Sequence, residues 1–186
     1  PARAGLRQYY HLWLQEHYPR AWDLAMYREE QKSFSYRPLI SLIMPVYNPE
    51  ERFLRLAIES VLKQTYPHWQ LCIADDKSPL PHVARVLREY ATLDSRIRLV
   101  FREENGRISQ ASNSALALAT GEFVGQLDHD DELTPHALHQ VVRILQTRPE
   151  ADFIYSDEDK IDSRGRLKDP YFKPDWSPDT FLSKMY

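Results

Sequence analysis

Hydrophobic and polar positions along the chain fall into two textures. Over residues 1–37, Leu6, Tyr10, Trp13, Leu14 and His17 recur at helical spacing until Pro19 interrupts them. Trp22, Ala25, Met26 and Arg28, running to Glu30, then mark a second short helix. This aromatic, charged leader suits a helical hairpin packed on its own body, or else a docking surface for a membrane or another domain. From Leu39 the texture changes. Leu39-Ile-Ser-Leu-Ile-Met44 is a near-continuous apolar run, as in a parallel strand covered on both faces. Asn48-Pro49-Glu50-Glu51 reads as a helix start, with Asn48 as cap, proline in the first turn and Glu51 set for a capping box. Phe53, Leu54, Ala57, Ile58, Val61 and Leu62 supply that helix's buried stripe.

The alternation continues. Strands are predicted over 70–74, 97–101, 122–127 and 151–156, with helices over 83–93, 108–119 and from about Pro135 to Gln146. Such a series predicts an α/β fold with a mostly parallel sheet and helices on both faces, whose ligands gather at the carboxyl ends of the strands. Those ends are Tyr47-Asn48, Asp75-Asp76, Arg102 to Arg107, Asp128-His129-Asp130-Asp131 and Asp157-Glu158-Asp159. Most carry charges that a core would exclude, so the site is expected on that edge. After Ser163 the pattern loosens into proline-rich, irregular chain. The domain boundaries read from this are a helical leader over 1–37 and an α/β domain over 38–186.

Composition narrows the class. The 186 residues carry 24 Lys and Arg against 27 Asp and Glu, a net charge of −3 that gives no electrostatic ground for nucleic-acid binding. Cys72 is the one cysteine, which excludes an internal disulfide framework. No apolar run approaches the ~20 residues of a membrane-spanning helix. The chain begins at Pro1 and stops at Tyr186 without a closing element, and reads as a fragment of something longer.

Three clusters carry candidate chemistry. Asp128 and Asp130 follow an apolar strand, and clustered carboxylates at such a tip suit a hard divalent cation, Mn²⁺ or Mg²⁺, that also takes substrate phosphates. Alternatively they form a solvated acidic turn that favours the next helix's N-terminus. Asp75 can accept a hydrogen bond from a nucleobase or close a local turn before Pro79, and Tyr47 can stack on a base or sit half-buried. Arg107 can grip phosphate or a base edge, or serve as surface charge. His136 and His139 share a helical face but lack a third ligand nearby, which argues against a metal pair. A phosphoreceiver domain would need acidic tips on the first and third strands, where Tyr47-Asn48 and Phe101-Arg102 stand instead. A nucleotidyltransferase would need a glycine-rich basic loop after strand one. A dinucleotide-dependent oxidoreductase would need a G-x-G-x-x-G that the five glycines do not form.

Taken together, Ile43-Met-Pro-Val-Tyr-Asn48, Ser60-Val-Leu-Lys-Gln-Thr-Tyr66, Ile73-Ala-Asp-Asp-Lys-Ser78, Asn105-Gly-Arg107 with Ala111-Ser-Asn-Ser-Ala115, and Gly121-Glu-Phe-Val-Gly-Gln-Leu-Asp-His-Asp-Asp131 resemble family 2 glycosyltransferases of the GT-A fold. The match runs from about Leu39 to Asp159 in the family's order and spacing. Ile154 to Asp162 and Lys173-Pro-Asp-Trp-Ser-Pro178 are similar to the bacterial branch that builds O-antigen and related surface polysaccharides, several of whose members resemble rhamnosyltransferases. The resemblance implies a Rossmann-like GT-A domain, truncated at its C-terminus, that transfers a sugar with inversion from a UDP-, dTDP- or GDP-sugar to a glycan or lipid-linked acceptor. It places Pro45, Tyr47, Asn48, Asp75, Arg107 and Asp128 at the nucleotide, with Asp130 and Asp128 as ligands of Mn²⁺ or Mg²⁺. The family's base is an aspartate in a later acidic motif. Nothing between Arg164 and Tyr186 resembles it, so the base is expected beyond Tyr186 and the fragment is expected to bind donor without necessarily turning over. Asp157, Glu158 and Asp159 stand as acceptor-side candidates. A non-catalytic sugar-nucleotide or glycan-binding module is the alternative. Cytosolic sugar nucleotides and an unpaired Cys72 imply a cytoplasmic protein, with a peripheral link to the inner membrane implied by lipid-linked acceptors.

Overall fold

The computed structural model describes residues 2–184. It divides into two compact units, residues 21–150 and a second unit formed by residues up to Arg20 together with those from Ala151 onward. The leader expected over 1–37 is shared between them: α1 (Ala2–His17) lies in the second unit, and α2 (Ala21–Glu30) in the first. The side chain of Leu6 lies outside the described residues, as does Tyr186.

The larger unit is an α/β sandwich. Its strands β1 (Ile40–Val46), β2 (Trp69–Asp75), β3 (Ile97–Phe101) and β4 (Phe123–Gln126) form an all-parallel sheet in the order β3-β2-β1-β4. Parallel strands need long crossovers, and α3 (Glu51–Leu62), α4 (Pro81–Leu93) and α5 (Arg107–Leu116) supply them, with α6 (Ala137–Thr147) following β4.

Strand parity sorts the core into two layers. Ile40, Leu42, Met44 and Val46 of β1 join Leu71 and Ile73 of β2 against Leu54, Ile58 and Val61 of α3, Val86 and Leu87 of α4, and Leu138 and Val142 of α6. Ile43, Cys72 and Ala74 face the opposite way, onto Ala115 of α5. Burial on both faces is why β1 and β2 read as unbroken apolar runs. It also pushes the Cys72 thiol above its ordinary pKa.

The second face is sealed by a polar knot. Ser41 Oγ donates to Gln70 Oε1 at 2.8 Å, and that oxygen also accepts from Thr120 N–H and Oγ1 at 2.7 and 2.9 Å. Gly121 N–H donates to Ser41 Oγ at 2.8 Å. A Cβ on Gly121 would lie 2.6 Å from both Leu39 O and Ser41 Oγ, so the return from α5 into β4 admits no side chain there.

Two expected features differ. The chain over 151–156 forms no strand; instead β5 (Glu158–Ile161) pairs antiparallel with β6 (Leu167–Tyr171) in a separate two-stranded sheet. The alternation of Phe153 and Tyr155 suits a strand, but their rings pack edge-on and tilted against Trp176 and, for Phe153, Phe181. Asn48 does not cap α3. That helix starts after Glu50, without a side-chain cap, while Asn48 adopts φ 50° and donates its backbone N–H to Ser78 Oγ at 2.9 Å. As expected, Pro135 lies near the start of α6, two residues before it, and its carbonyl accepts Thr65 N–H at 2.8 Å.

Candidate functional site

The order β3-β2-β1-β4 contains a switch point. The chain leaves β1 toward β2 on one side, while the crossover after β3 returns over the sheet through α5, packed on β1 and β2, and delivers β4 to the other side of β1. Open α/β sheets place ligands in the crevice outside the carboxyl ends of strands at such a point. Register fixes what stands there. Val46 pairs with Asp75, and Ile43 pairs with Gln126, so Tyr47-Asn48 emerges between Asp75-Asp76 on one flank and Asp128 to Asp131 on the other.

Each tip is held by a different device. On the first, Tyr47 is 49% exposed, whereas Pro45 is half-buried. Asn48 Oδ1 is buried and accepts no hydrogen bond from the described residues. On the second, Asp75 is 4% exposed and its two carboxylate oxygens each lie 3.3 Å from Ser78 N–H. Ser78 thereby couples the tips, its amide facing Asp75 and its hydroxyl accepting from Asn48. On the fourth, Leu127 N–H donates to Ile43 O at 3.1 Å, and Asp131 N–H donates to Asp128 O at 3.2 Å, so residues 128–131 fold into a turn. Asp128 and Asp130 are exposed on it.

Residues 133–138, which lead from that turn into α6, are tied to the end of α3. Leu133 N–H donates to Ser60 Oγ at 3.1 Å, Gln64 Nε2 donates to Thr134 O at 2.8 Å, and Leu138 N–H donates to Gln64 Oε1 at 3.1 Å. Ser60 and Gln64 thus brace the chain leaving the acidic turn. The sequence marks their segment as a motif without giving them this task, which needs the third dimension.

Backbone strain concentrates on the same edge. Asn48, Lys77 and Arg107 adopt φ 50°, 60° and 63°, one beyond each of β1, β2 and β3. Left-handed backbone at a non-glycine residue costs about 1–3 kcal/mol and persists where its surroundings over-determine it, often at functional sites. Asparagine tolerates this region, but a lysine or arginine gives no sequence signal for it.

The structure therefore brings Pro45, Tyr47, Asn48, Asp75, Asp128 and Asp130 to one edge, with Arg107 opening α5 from the β3 tip. His136 and His139 are not part of it. His139 is fully buried, with Nε2 3.1 Å from Glu30 Oε2 and its ring stacked on Tyr27. Asp157, Glu158 and Asp159 lie in the other compact unit. There Asp157 Oδ1 accepts Lys173 N–H at 2.7 Å, Glu158 pairs with Lys173 Nζ at 3.1 Å, and Asp159 accepts from the Tyr10 hydroxyl.

The residues at the β4 tip fit a hard divalent cation in donor chemistry, since two exposed carboxylates at a strand end supply oxygen ligands. Among the described residues no three His, Cys, Asp or Glu side chains form a metal-binding group. The donor set on offer is that of a Mg²⁺-type site, in which one or two carboxylates are completed by phosphate oxygens and water. None of the described helices is long and apolar enough to cross a membrane.

A parallel sheet of this order, with its polar strand tips at the switch point, defines a nucleotide-diphospho-sugar type of α/β domain, the GT-A class. Two solved structures share that fold. Residues 1–349 of S. aureus TarS in complex with UDP-GlcNAc superpose with TM-score 0.55 and 26% identity, over 59% of this chain and 32% of that one. The mannosyltransferase PcManGT from Pyrobaculum calidifontis, in complex with GDP-Man and Mn²⁺, gives TM-score 0.53 and 25% identity over 66% of this chain and 39% of that one. The sequence profile of glycosyl transferase family 2 matches residues 41–184, and the chain belongs to that family. It is 43% identical over 159 residues to the O-antigen biosynthesis protein RfbC of Myxococcus xanthus. That match covers 86% of this chain and 12% of that relative, so the chain spans a small part of the relative's length.

Proposed function

We propose that the crevice between the tips of β2, β1 and β4 binds a nucleotide-diphosphate sugar, whose glycosyl group is transferred with inversion to a glycan or lipid-linked acceptor in bacterial surface-polysaccharide synthesis. The observation that carries this is the convergence of three polar strand tips at the topological switch point, with the buried Asp75 beside the exposed Tyr47. Family membership and the nucleotide sugars bound by TarS and PcManGT support it.

In this reading Tyr47 offers a ring face to the base, a contact of about 1–3 kcal/mol in single-stranded nucleic-acid binders. Asp75 accepts from a base N–H. The only hydrogen bonds of its carboxylate among the described residues are the two long ones from Ser78 N–H, so a lone pair stays available. Pro45 and Asn48 line the pocket, and Arg107 meets the nucleotide from the β3 side. Asp130 and Asp128 would hold Mn²⁺ or Mg²⁺, which when bound neutralises charge on the diphosphate leaving group. Because sugar nucleotides are cytosolic, the reading includes a cytoplasmic location, with peripheral attachment to the inner membrane where the acceptor is lipid-linked.

Calorimetric titration of the chain with UDP, dTDP and GDP, each with and without Mn²⁺, tests the reading. Metal-dependent binding of one nucleotide is the expected result and names the donor's base. Absence of binding by all three overturns it.

A further inference from the structure

Asp75 and Asp76 are neighbours in sequence and both buried, yet their bonding separates them. The Asp75 carboxylate has only the long contacts to Ser78 N–H among the described residues, whereas that of Asp76, 1% exposed, is fully engaged. Its Oδ1 accepts from Arg102 Nε at 2.8 Å and from Gly106 N–H at 2.9 Å, while Oδ2 lies 3.1 Å from the same N–H. Its backbone carbonyl accepts from Asn105 Nδ2 at 3.0 Å, and its own N–H donates to Val46 O at 2.8 Å. Arg102 continues the path onto α5, donating from Nη1 to Gln110 O at 3.2 Å and to Ser114 Oγ. The turn is packed as well as bonded, since a Cβ on Gly106 would lie 2.6 Å from both Arg102 Nη2 and Gln110 Cβ.

The next residue is Arg107. It is exposed, sits at φ 63° and has no ion-pair partner among the described residues. Its backbone is clamped on both sides, by the bonds of Asn105 and Gly106 to Asp76 before it and by Arg102's hold on Gln110 and Ser114 after it. An L-residue stays left-handed only where its surroundings over-determine it, and this clamp does so. Charge-assisted bonds to a buried carboxylate are short and strong, and removing one partner leaves a buried charge uncompensated, so the anchor is stiff. A cation presented from a fixed backbone loses less freedom on gripping a ligand than one on a loose loop.

We propose that Asp76 is a positioning residue for nucleotide recognition, acting through Asn105, Gly106 and Arg102 to fix the backbone from which Arg107 reaches the nucleotide. Asp76 itself does not touch the ligand. This rests on reading the crevice as a nucleotide-sugar site.

A double-mutant cycle tests it, with Asp76→Asn and Arg107→Ala made singly and together and titrated in this chain with UDP, dTDP and GDP plus Mn²⁺. The nucleotide that the wild type binds is followed through the set. Arg107→Ala is expected to weaken its binding about tenfold, the scale of one charge-assisted contact. Asp76→Asn should weaken it comparably, and the double variant should bind no worse than Arg107→Ala to within about twofold. A loss from Asp76→Asn that persists in full in the Arg107→Ala background overturns the proposal, because a general structural role would give that result. Unchanged affinity in Arg107→Ala overturns it too, while leaving the site reading intact. A wild type that binds none of the three nucleotides overturns the site reading and the proposal with it. If circular dichroism shows Asp76→Asn unfolded, Arg102→Lys replaces it, keeping the charge and losing the guanidinium fork. Its loss must likewise vanish in the Arg107→Ala background.

Discussion

His129 donates from Nδ1 to the backbone carbonyl of Pro45 across 3.2 Å, joining the turn after β4 to the last residues of β1. A carbonyl only accepts, so the bond fixes the imidazole tautomer with its proton on Nδ1. His129 stands between Asp128 and Asp130, so the bond ties the turn that carries both exposed carboxylates to β1. Replacement by alanine removes one half-buried hydrogen bond, worth about 1 kcal/mol. We expect His129→Ala to lower global stability by no more than about that, in urea unfolding, while weakening Mn²⁺-dependent nucleotide binding clearly. Unaltered metal-dependent affinity would show that the turn keeps its shape without the bond.

Asp130→Ala is expected to remove the metal dependence of nucleotide binding and leave the fold as it was, because the side chain is exposed and supports no core residue. Far-ultraviolet circular dichroism and calorimetry with and without Mn²⁺ read the two halves of this expectation. A variant that still gains affinity on adding Mn²⁺ removes Asp130 from the metal assignment.

Gly121→Ala should destabilise the larger unit by about 1–3 kcal/mol, the usual cost of overpacking. The added carbon meets Leu39 O and Ser41 Oγ at 2.6 Å, and backbone cannot retreat as the end of a flexible side chain can. Ser41→Gly in the same background opens part of that space, and partial recovery of the urea midpoint would tie the loss to this contact.

Stability should also fall in mild acid through His136 and His139. Burial holds both below their ordinary value of 6.5. Asp23 pulls His136 upward and the neighbouring His139 pushes it down; Glu30 pulls His139 upward and Arg143 pushes it down. Burial is the largest of these influences. Nδ1 of each ring is buried without a hydrogen-bond partner among the described residues, so a proton arriving there finds no acceptor. A base whose pKa is depressed by folding is protonated first in the unfolded chain. Its contribution is present in full above about pH 6.5 and is lost as pH falls toward the folded-state values. Urea midpoints measured from pH 7.5 to 5 should decline, and His139→Gln should flatten the slope even if it lowers the starting stability.

Much of the fold was legible in the sequence because parallel strands covered on both faces must be apolar at nearly every position. Leu39 to Met44 and Gln70 to Ala74 announced β1 and β2 in this way, and Ile97 to Phe101 marked the bounds of β3 without error. The edge carrying polar tips came from reading the residues just past each strand. The expectation of a fifth strand over 151–156 failed because alternation reports a two-faced segment and cannot say whether a ladder partner lies alongside. Asn48 failed as a cap for a related reason: its side chain suits capping, but its backbone is held by Ser78, 30 residues away in sequence.

The site was legible as residue types but not as roles. Asp75-Asp76 reads as one acidic pair, and only the structure separates a carboxylate facing the Ser78 amide from one bound to Arg102 and Gly106. Arg102 reads as one more charge in a polar loop, and Ser60 and Gln64 as parts of a motif. Each acts on a partner dozens of residues away or a turn of helix off, which no local pattern encodes.

By itself, then, the sequence determined the class of fold, the edge on which chemistry collects and the family the chain resembles. These depend on burial and spacing, which act residue by residue along the chain. Tertiary structure decided the strand order, the coupling of Asn48 to Ser78, the clamp around Arg107 and the division between the two units. Those depend on which hydrogen-bond donor finds which acceptor once the core has closed. Distant groups meet there at about 3 Å, where directionality selects among partners that composition leaves equivalent.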